Sequence, residues 1–187
     1  MSEEFPGPFV YGLRSCNADM TAYNGYAWPR EGWAEAPDWT PAPTCGGGLH
    51  FLRNGEGNAG LLNHKPDAVW MVVRAYASET VDIDRAKSKA KRCEVVFAGS
   101  RQEAVTRLRA IVGADKHIVF ANDRVSGGES ICCGSGSTIT AVGDGSTITA
   151  EGDGSTITAV GYRSTITAKG YRSTITAKGD GSTITAK

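Results

Sequence analysis

Hydrophobic and polar positions alternate with a two-residue period through the last third of this chain and fall into separate apolar runs before it. From Ser137 to Lys187 one nonapeptide recurs: Ser-Thr-Ile-Thr-Ala, a variable residue, Gly, Asp or Tyr, and Gly or Arg. Copies open at Ser137, Ser146, Ser155, Ser164, Ser173 and Ser182. A fixed period this short marks a solenoid, in which each unit contacts chiefly its neighbours. Strand periodicity sends Ser, Ile and Ala to one face and both threonines to the other, and the apolar set must face inward. Gly143, Gly152, Gly161, Gly170 and Gly179 recur at the corners, where the backbone needs angles that side chains resist. A five-residue strand and a four-residue corner cross the structure once, so the pattern predicts two copies per 18-residue coil. Six copies then give three coils stacked about 4.8 Å apart. The expected core is Ile139, Ile148, Ile157, Ile166, Ile175 and Ile184. The expected outer lattice is Thr138, Thr140, Thr147, Thr149, Thr156, Thr158, Thr165, Thr167, Thr174, Thr176, Thr183 and Thr185, with hydroxyls about 6.7 Å apart along a strand.

Upstream, the pattern predicts an α+β domain over residues 1–126, with the solenoid over 127–187. Residues 1–46 read as irregular, because Phe9, Tyr11, Tyr23, Tyr26, Trp28, Trp33 and Trp39 are interspersed with six prolines that favour turns and short strands. These aromatics suit a small core; a platform for carbohydrate or nucleobase is the alternative. Gly46-Gly47-Gly48 leads into a short strand, Leu49-His50-Phe51-Leu52. Val69 to Ala77 reads as a central strand, Thr80 to Asp84 as a second and Lys91 to Ala98 as a third. Ser100 with Glu103 forms a capping box, and Ala104, Leu108 and Ile111 share a face, so a helix is expected over 101–112, ended by Gly113. His117 to Ala121 reads as a further strand and Asn122 to Gly128 as a turn-rich bridge.

Charge changes the picture in one place. The whole chain is neutral, with 20 basic and 20 acidic residues, which leaves no nucleic-acid footprint. The cluster Arg85, Lys87, Lys89, Lys91 and Arg92 reads as a solvated face. The repeats, however, are polarised. Asp144, Glu151 and Asp153 give residues 134–160 a net charge of minus three, whereas Arg163, Lys169, Arg172, Lys178 and Lys187 against Asp180 give residues 161–187 plus four. The sequence stops inside a perfect repeat, so an uncapped solenoid with ends of opposite sign is expected to stack head to tail into oligomers or filaments. Asp144, Glu151, Asp153, Arg172, Lys178 and Lys187 are the expected assembly residues. The competing expectation is a cap supplied by the N-terminal domain or another protein.

Candidate chemistry is sparse. Met1-Ser2-Glu3-Glu4 opens without a basic flank or apolar run, and no stretch is long enough to span a membrane, so synthesis in the cytoplasm is expected, with the virion or cell exterior reached by other routes. Cys16, Cys45, Cys93, Cys132 and Cys133 lack metal or redox spacing and are expected as free thiols, with Cys132 and Cys133 in the Ala and variable slots of a degenerate first copy. A zinc set of Cys16, Cys45, His50 and Cys93 lacks paired spacing. His50 with Arg14 before it and Glu56 or Glu79 after it can be drawn as an ADP-ribosyltransferase-like site, and Cys45 with His50 as a nucleophile pair, but no nucleotide or hydrolase motif accompanies either. No catalytic residue, metal or cofactor is therefore assigned, and neither nucleic acid nor membrane is an expected partner.

The Thr-x-Thr repeats resemble those of bacterial ice-nucleation proteins and solenoid antifreeze proteins, which implies an ordered-water or ice-binding face. Here the unit has nine residues. The Ca-binding nonapeptide roll fits less well, because Thr147, Thr156 and Thr165 stand where its liganding Asp would fall. The succession Cys45-Gly46-Gly47-Gly48-Leu49-His50-Phe51, the strand from Val69 to Tyr76 and Asp84-Arg85-Ala86-Lys87 resembles a poorly characterised domain of bacteria and phages that precedes such repeats, over roughly residues 8–125. Three functions follow as expectations: a self-assembling structural protein, an ice- or surface-binding lattice, or a transferase-like enzyme carried on a solenoid stalk.

Overall fold

The computed structural model describes residues 7–85 and 87–187. The acidic opening Met1-Ser2-Glu3-Glu4, and Ala86 of the segment Asp84-Arg85-Ala86-Lys87, lie outside the described residues. Contacts divide the chain into two compact units, Met1–Leu108 and Arg109–Lys187.

The first unit is an antiparallel sheet of seven strands: β1 (Phe9–Cys16), β2 (Gly32–Glu35), β3 (Leu49–Arg53), β4 (Val69–Tyr76), β5 (Thr80–Ile83), β6 (Lys87–Ala90) and β7 (Arg92–Gly99), in the spatial order β2-β7-β4-β1-β3-β6-β5. The apolar run predicted as a central strand is β4, buried from Val69 to Val73 and paired along its length with β1 from Phe9↔Tyr76 to Cys16↔Val69. On one face Met71, Val73, Ala75, Phe51, Cys93 and Trp28 make the main core. Gly12 lies in β1 where the Phe51 ring presses on the backbone; a Cβ there would sit 2.2 Å from a ring carbon. The expected helix is present as α1 (Arg101–Val112), which the division between units crosses. Ser100 Oγ donates to Glu103 Oε2 at 2.6 Å and accepts from the Glu103 amide at 3.3 Å, the reciprocal capping that the sequence implies.

Two readings of this unit are corrected. The segment read as irregular contains the eight-residue β1 and also β2. The basic cluster read as a solvated face contains β6, in which Lys89 is fully buried. Its Nζ donates to Gly46 O at 2.7 Å, Thr44 O at 3.0 Å and Thr40 Oγ1 at 3.4 Å, and lies 5.8 Å from the Trp39 ring centre. A glycine-rich loop wrapped around the side chain supplies the acceptors that make burial tolerable.

The second unit is a parallel β-solenoid that begins at residue 122, earlier than the repeats imply. Strands β8 (Asn122–Ser126), β10 (Thr138–Val142), β12 (Thr156–Val160) and β14 (Thr174–Lys178) form one sheet. Strands β9 (Ser130–Cys133), β11 (Thr147–Glu151), β13 (Thr165–Lys169) and β15 (Thr183–Ala186) form the other. Successive copies alternate between sheets, so Thr138 pairs with Thr156 and Thr147 with Thr165, the two-copy coil of 18 residues.

The segment His117 to Ala121 is not a strand, and the supposed bridge at Asn122 is the first rung. That first coil is shorter, since Asn122 pairs with Thr138 and Ser130 with Thr147. Cys132 accordingly falls in a Thr slot and Cys133 in the Ala slot, one position earlier than the repeat spacing implies. Asp123 takes an Ile slot opposite Ile139 and is neutralised by Arg109, 3.2 Å away. Arg109 also donates to Lys116 O at 2.7 Å and Cys132 O at 2.8 Å, while Cys132 N and Gly134 N donate to Ala114 O and Ile118 O, each at 2.9 Å. Part of the first coil's edge is thus already paired.

Inside, Ile139, Ile148, Ile157 and Ile166 are fully buried and Ser137, Ser146, Ser155 and Ser164 line the core with them. The sequence-predicted core does not extend to the last coil: Ile175 is half-buried and Ile184 is 49% exposed, because among the described residues no further rung covers β14 or β15. Among the described residues no helix is long and apolar enough to cross a membrane.

Candidate functional site

Two features carry chemistry, one in each unit. On the solenoid, all twelve predicted lattice threonines face outward, exposed or half-buried, while Ile and Ala between them point in. β-Branched Thr is stiff at χ1, so register in the backbone becomes register in the hydroxyls and methyls. Each sheet presents three full rungs: Thr138/Thr140, Thr156/Thr158 and Thr174/Thr176 on one face, and Thr147/Thr149, Thr165/Thr167 and Thr183/Thr185 on the other.

The faces differ in a third outward column. On the β10-β12-β14 face it holds Val142, Val160 and Lys178, with the valines 38% and 42% exposed. On the β11-β13-β15 face it holds Glu151 and Lys169, whose Nζ donates to Glu151 Oε1 at 3.0 Å. That bond holds the Glu151 carboxyl below its usual range. In this column the first face is therefore the more apolar, although the same sheet carries Arg124 beneath Thr140.

The corners explain where the other expected assembly residues lie. Asp144 and Asp153 accept, at 2.8 Å each, from the amides of Tyr162 and Tyr171 one coil on. These carboxylates bind within the stack, above the first coil. Arg172, Lys178 and Lys187 lie in the last coil with exposed side chains. Arg163 and Arg172 take φ of +57° and +59°, in the corner slot that Gly145, Gly154 and Gly181 fill elsewhere with φ of +71° to +75°.

In the first unit a cleft of about 740 Å³ is lined by Arg14, His50, Cys45, Lys87, Tyr26 and Trp28 among others. The Arg14 guanidinium lies 4.4 Å from the Trp28 ring centre and its Nη1 donates to His50 O. Burial lowers its pKa to about 10. Burial, followed by the cations Lys87, Arg14 and Lys89, pushes the His50 imidazole from 6.5 down to about 4. Lys87 Nζ donates to the exposed Cys45 Sγ at 3.0 Å and thereby lowers that thiol's pKa.

The structure thus brings Arg14, His50 and Cys45 to one cleft but leaves both proposed glutamates out of it. Glu79 pairs with Arg92 at 2.8 Å, and Glu56 lines a separate small pocket with Arg53 and Asp82. Cys93 is buried in the core, where its thiol is pushed up to about 12. Among the described residues no three His, Cys, Asp or Glu side chains converge as metal ligands. Lys87 was invisible as a site residue in sequence, because a basic run gives no hint that one lysine is buried and its neighbour turned to a cleft.

A family model described as a domain of unknown function, DUF7666, matches residues 10–107, more than half of the 187-residue chain. The chain belongs to the DUF7666 family. Its matched region holds β1 to β7 and the cleft, and it corresponds to the poorly characterised domain whose motifs the sequence carries. This DUF7666 protein is also similar to proteins named ice nucleation protein. It is 31% identical over 97 residues to one from Pseudomonas fluorescens, covering 51% of this chain and 8% of that protein. It is 29% identical over 102 residues to one from Xanthomonas campestris pv. translucens, covering 54% and 6%. It is 32% identical over 94 residues to ice nucleation protein InaU of Pantoea ananas, covering 50% and 9%. The chain therefore spans less than a tenth of the length of these relatives. No solved structure matches it.

Proposed function

We propose that the solenoid of this protein is a water-ordering lattice that binds ice or a comparably regular surface, and that the β10-β12-β14 face is the binding face. The observation that carries the reading is the stacking of identical Thr-x-Thr rungs in parallel register, Thr138 on Thr156 on Thr174 and Thr140 on Thr158 on Thr176. Hydroxyls repeat at about 4.8 Å in one direction and about 6.7 Å in the other, and stiff χ1 angles keep them there, so water bound to one rung is placed for water bound to the next. Val142 and Val160 favour this face over its counterpart, because exposed methyl groups do not draw water into the tight shells that Glu151 and Lys169 hold. The ice-nucleation relatives support the same reading through their name alone.

Three rungs extend only roughly 10 Å. Association of copies would enlarge the lattice, and the split between the acidic residues 134–160 and the basic residues 161–187 favours it. Freezing of dispersed droplets and thermal hysteresis test the reading with Thr156→Lys at the centre of the favoured face and Thr165→Lys on the other. Thr156→Lys should lose most of the activity and Thr165→Lys less, both keeping the wild-type circular dichroism. Equal activity in all three proteins would remove the lattice as the binding element.

A further inference from the structure

The cleft of the N-terminal unit has the features of a ligand site independent of the solenoid. Its volume, about 740 Å³, is that of a small-molecule pocket rather than a packing defect. Much of its lining is apolar or aromatic, with Leu13, Leu49, Phe51 and Leu62 beside Tyr26 and Trp28, whose rings meet edge to face at 5.7 Å. Against this background three nitrogens are buried with no hydrogen-bond partner: Arg14 Nε, Trp28 Nε1 and His50 Nε2. All three residues line the cleft. Each orphaned polar group costs about 1 to 3 kcal/mol, and because these three atoms are themselves closed off they mark a polar wall beneath the surface, so the groups that an occupant meets are the ring faces and the rest of the Arg14 guanidinium.

The charge balance says what that occupant is. Lining cations are Arg14, Lys65 and Lys87, against the carboxylate of Asp38. Lys87 is already engaged by Cys45. Among the described residues no carboxylate pairs with Arg14, whose contacts are a backbone carbonyl and the face of Trp28. A guanidinium held over an indole with no carboxylate of its own suits a planar two-oxygen acceptor, while the neighbouring aromatic rings suit a flat apolar body. A neutral His50 adds a polar nitrogen without repelling or attracting charge.

We propose that this cleft binds a small flat carboxylate, such as an aromatic acid of one or two rings, with Arg14 receiving the carboxylate and Tyr26 and Trp28 flanking the ring. Cys45 sits at the mouth, exposed, and reports on occupancy.

Naphthoate, naphthylmethanol and inorganic phosphate are the probes, titrated calorimetrically into the full chain. Naphthoate should bind saturably at one site, naphthylmethanol at least about tenfold more weakly, and phosphate should not compete; Arg14→Met should lower naphthoate affinity at least about tenfold and Arg14→Lys should restore part of it, a tenfold change being about 1.4 kcal/mol. A second readout needs no substitution at Arg14. Naphthoate should slow the reaction of Cys45 with the neutral reagent dithiodipyridine, the Cys45 signal being assigned by its loss in Cys45→Ser. Equal affinity for acid and alcohol, competition by phosphate alone, or an unprotected Cys45 at saturating naphthoate would each overturn the assignment. None of these results depends on the activity of the solenoid.

Discussion

His50 and Lys89 face each other across the β3-β6 pairing, and the two residues meet burial in different ways. Lys89 keeps its polar end satisfied by carbonyls and a hydroxyl from the loop around it. His50 lacks such partners at Nε2 and stays neutral instead, held down to about 4 by burial and by Lys87, Arg14 and Lys89, which outweigh the opposing Asp38. Between that value and 6.5 the unfolded chain carries a proton on this imidazole that the folded chain does not. Stability therefore falls as pH drops through that window and is unaffected by this group above it. All four tryptophans, Trp28, Trp33, Trp39 and Trp70, lie in the first unit, so urea unfolding followed by their fluorescence reports on that unit. The midpoint should decline from about pH 6.5 to about pH 4 in wild type and decline less in His50→Gln. Asp19 and Glu103, held below the usual carboxylate range by hydrogen bonds from Thr21 and Ser100, add their loss only at lower pH. An identical slope in the two proteins would mean that another group governs the acid limb.

At the scale of the element, the solenoid corner has two left-handed positions with different demands. Gly154, at φ +72°, has open space where a Cβ would go, and its counterparts Arg163 and Arg172 already carry side chains at such angles. Gly161, at φ +146°, would place a Cβ 2.4 Å from Gly143 O in the coil below. Gly154→Ala should cost about 1 kcal/mol, the ordinary strain of a left-handed residue, whereas Gly161→Ala should cost about 3 kcal/mol or more by prying coils apart. Thermal unfolding followed by far-ultraviolet circular dichroism of the β signal distinguishes these outcomes, and equal losses would show that backbone strain alone sets the demand.

The same contrast explains what the sequence made legible. The repeat rungs, their inward isoleucines, the two-copy coil and the box-capped helix could be read because each rests on a period or a local motif. β1 could not, since Gly12 and Arg14 interrupt its alternation, and Gly12 is explained only by Phe51 far along the chain. The first coil was hidden because Asp123 stands in an isoleucine slot and needs Arg109 to do so. Of the cleft, Arg14, His50 and Cys45 stood out as residue types, but the contact of Lys87 with Cys45 and the absence of Glu56 and Glu79 are properties of the folded chain alone.

For the whole molecule the charge split along the repeats bears on how copies meet. Head-to-tail stacking, as the sequence suggests, needs an open edge on the first coil, yet Ala114 and Ile118 already accept hydrogen bonds from Cys132 and Gly134 there. The last coil differs: Ile184 is 49% exposed, and β15 offers an unpaired edge to a further rung, whichever chain supplies it. An antiparallel side-by-side arrangement sets the residues 134–160, at minus three, against the residues 161–187 of another copy, at plus four, without using the first coil's edge. Such contacts are between exposed charges, so they weaken steeply as screening shortens from about 30 Å at about 0.01 M salt to about 3 Å at about 1 M. Sedimentation velocity should accordingly show assemblies at the lower salt and smaller species at the higher, and Lys178→Glu with Lys187→Glu should weaken association at low salt while leaving the β signal intact. Association that grows with salt would point instead to apolar pairing through Ile175 and Ile184, since burial of apolar surface is strengthened rather than screened under those conditions.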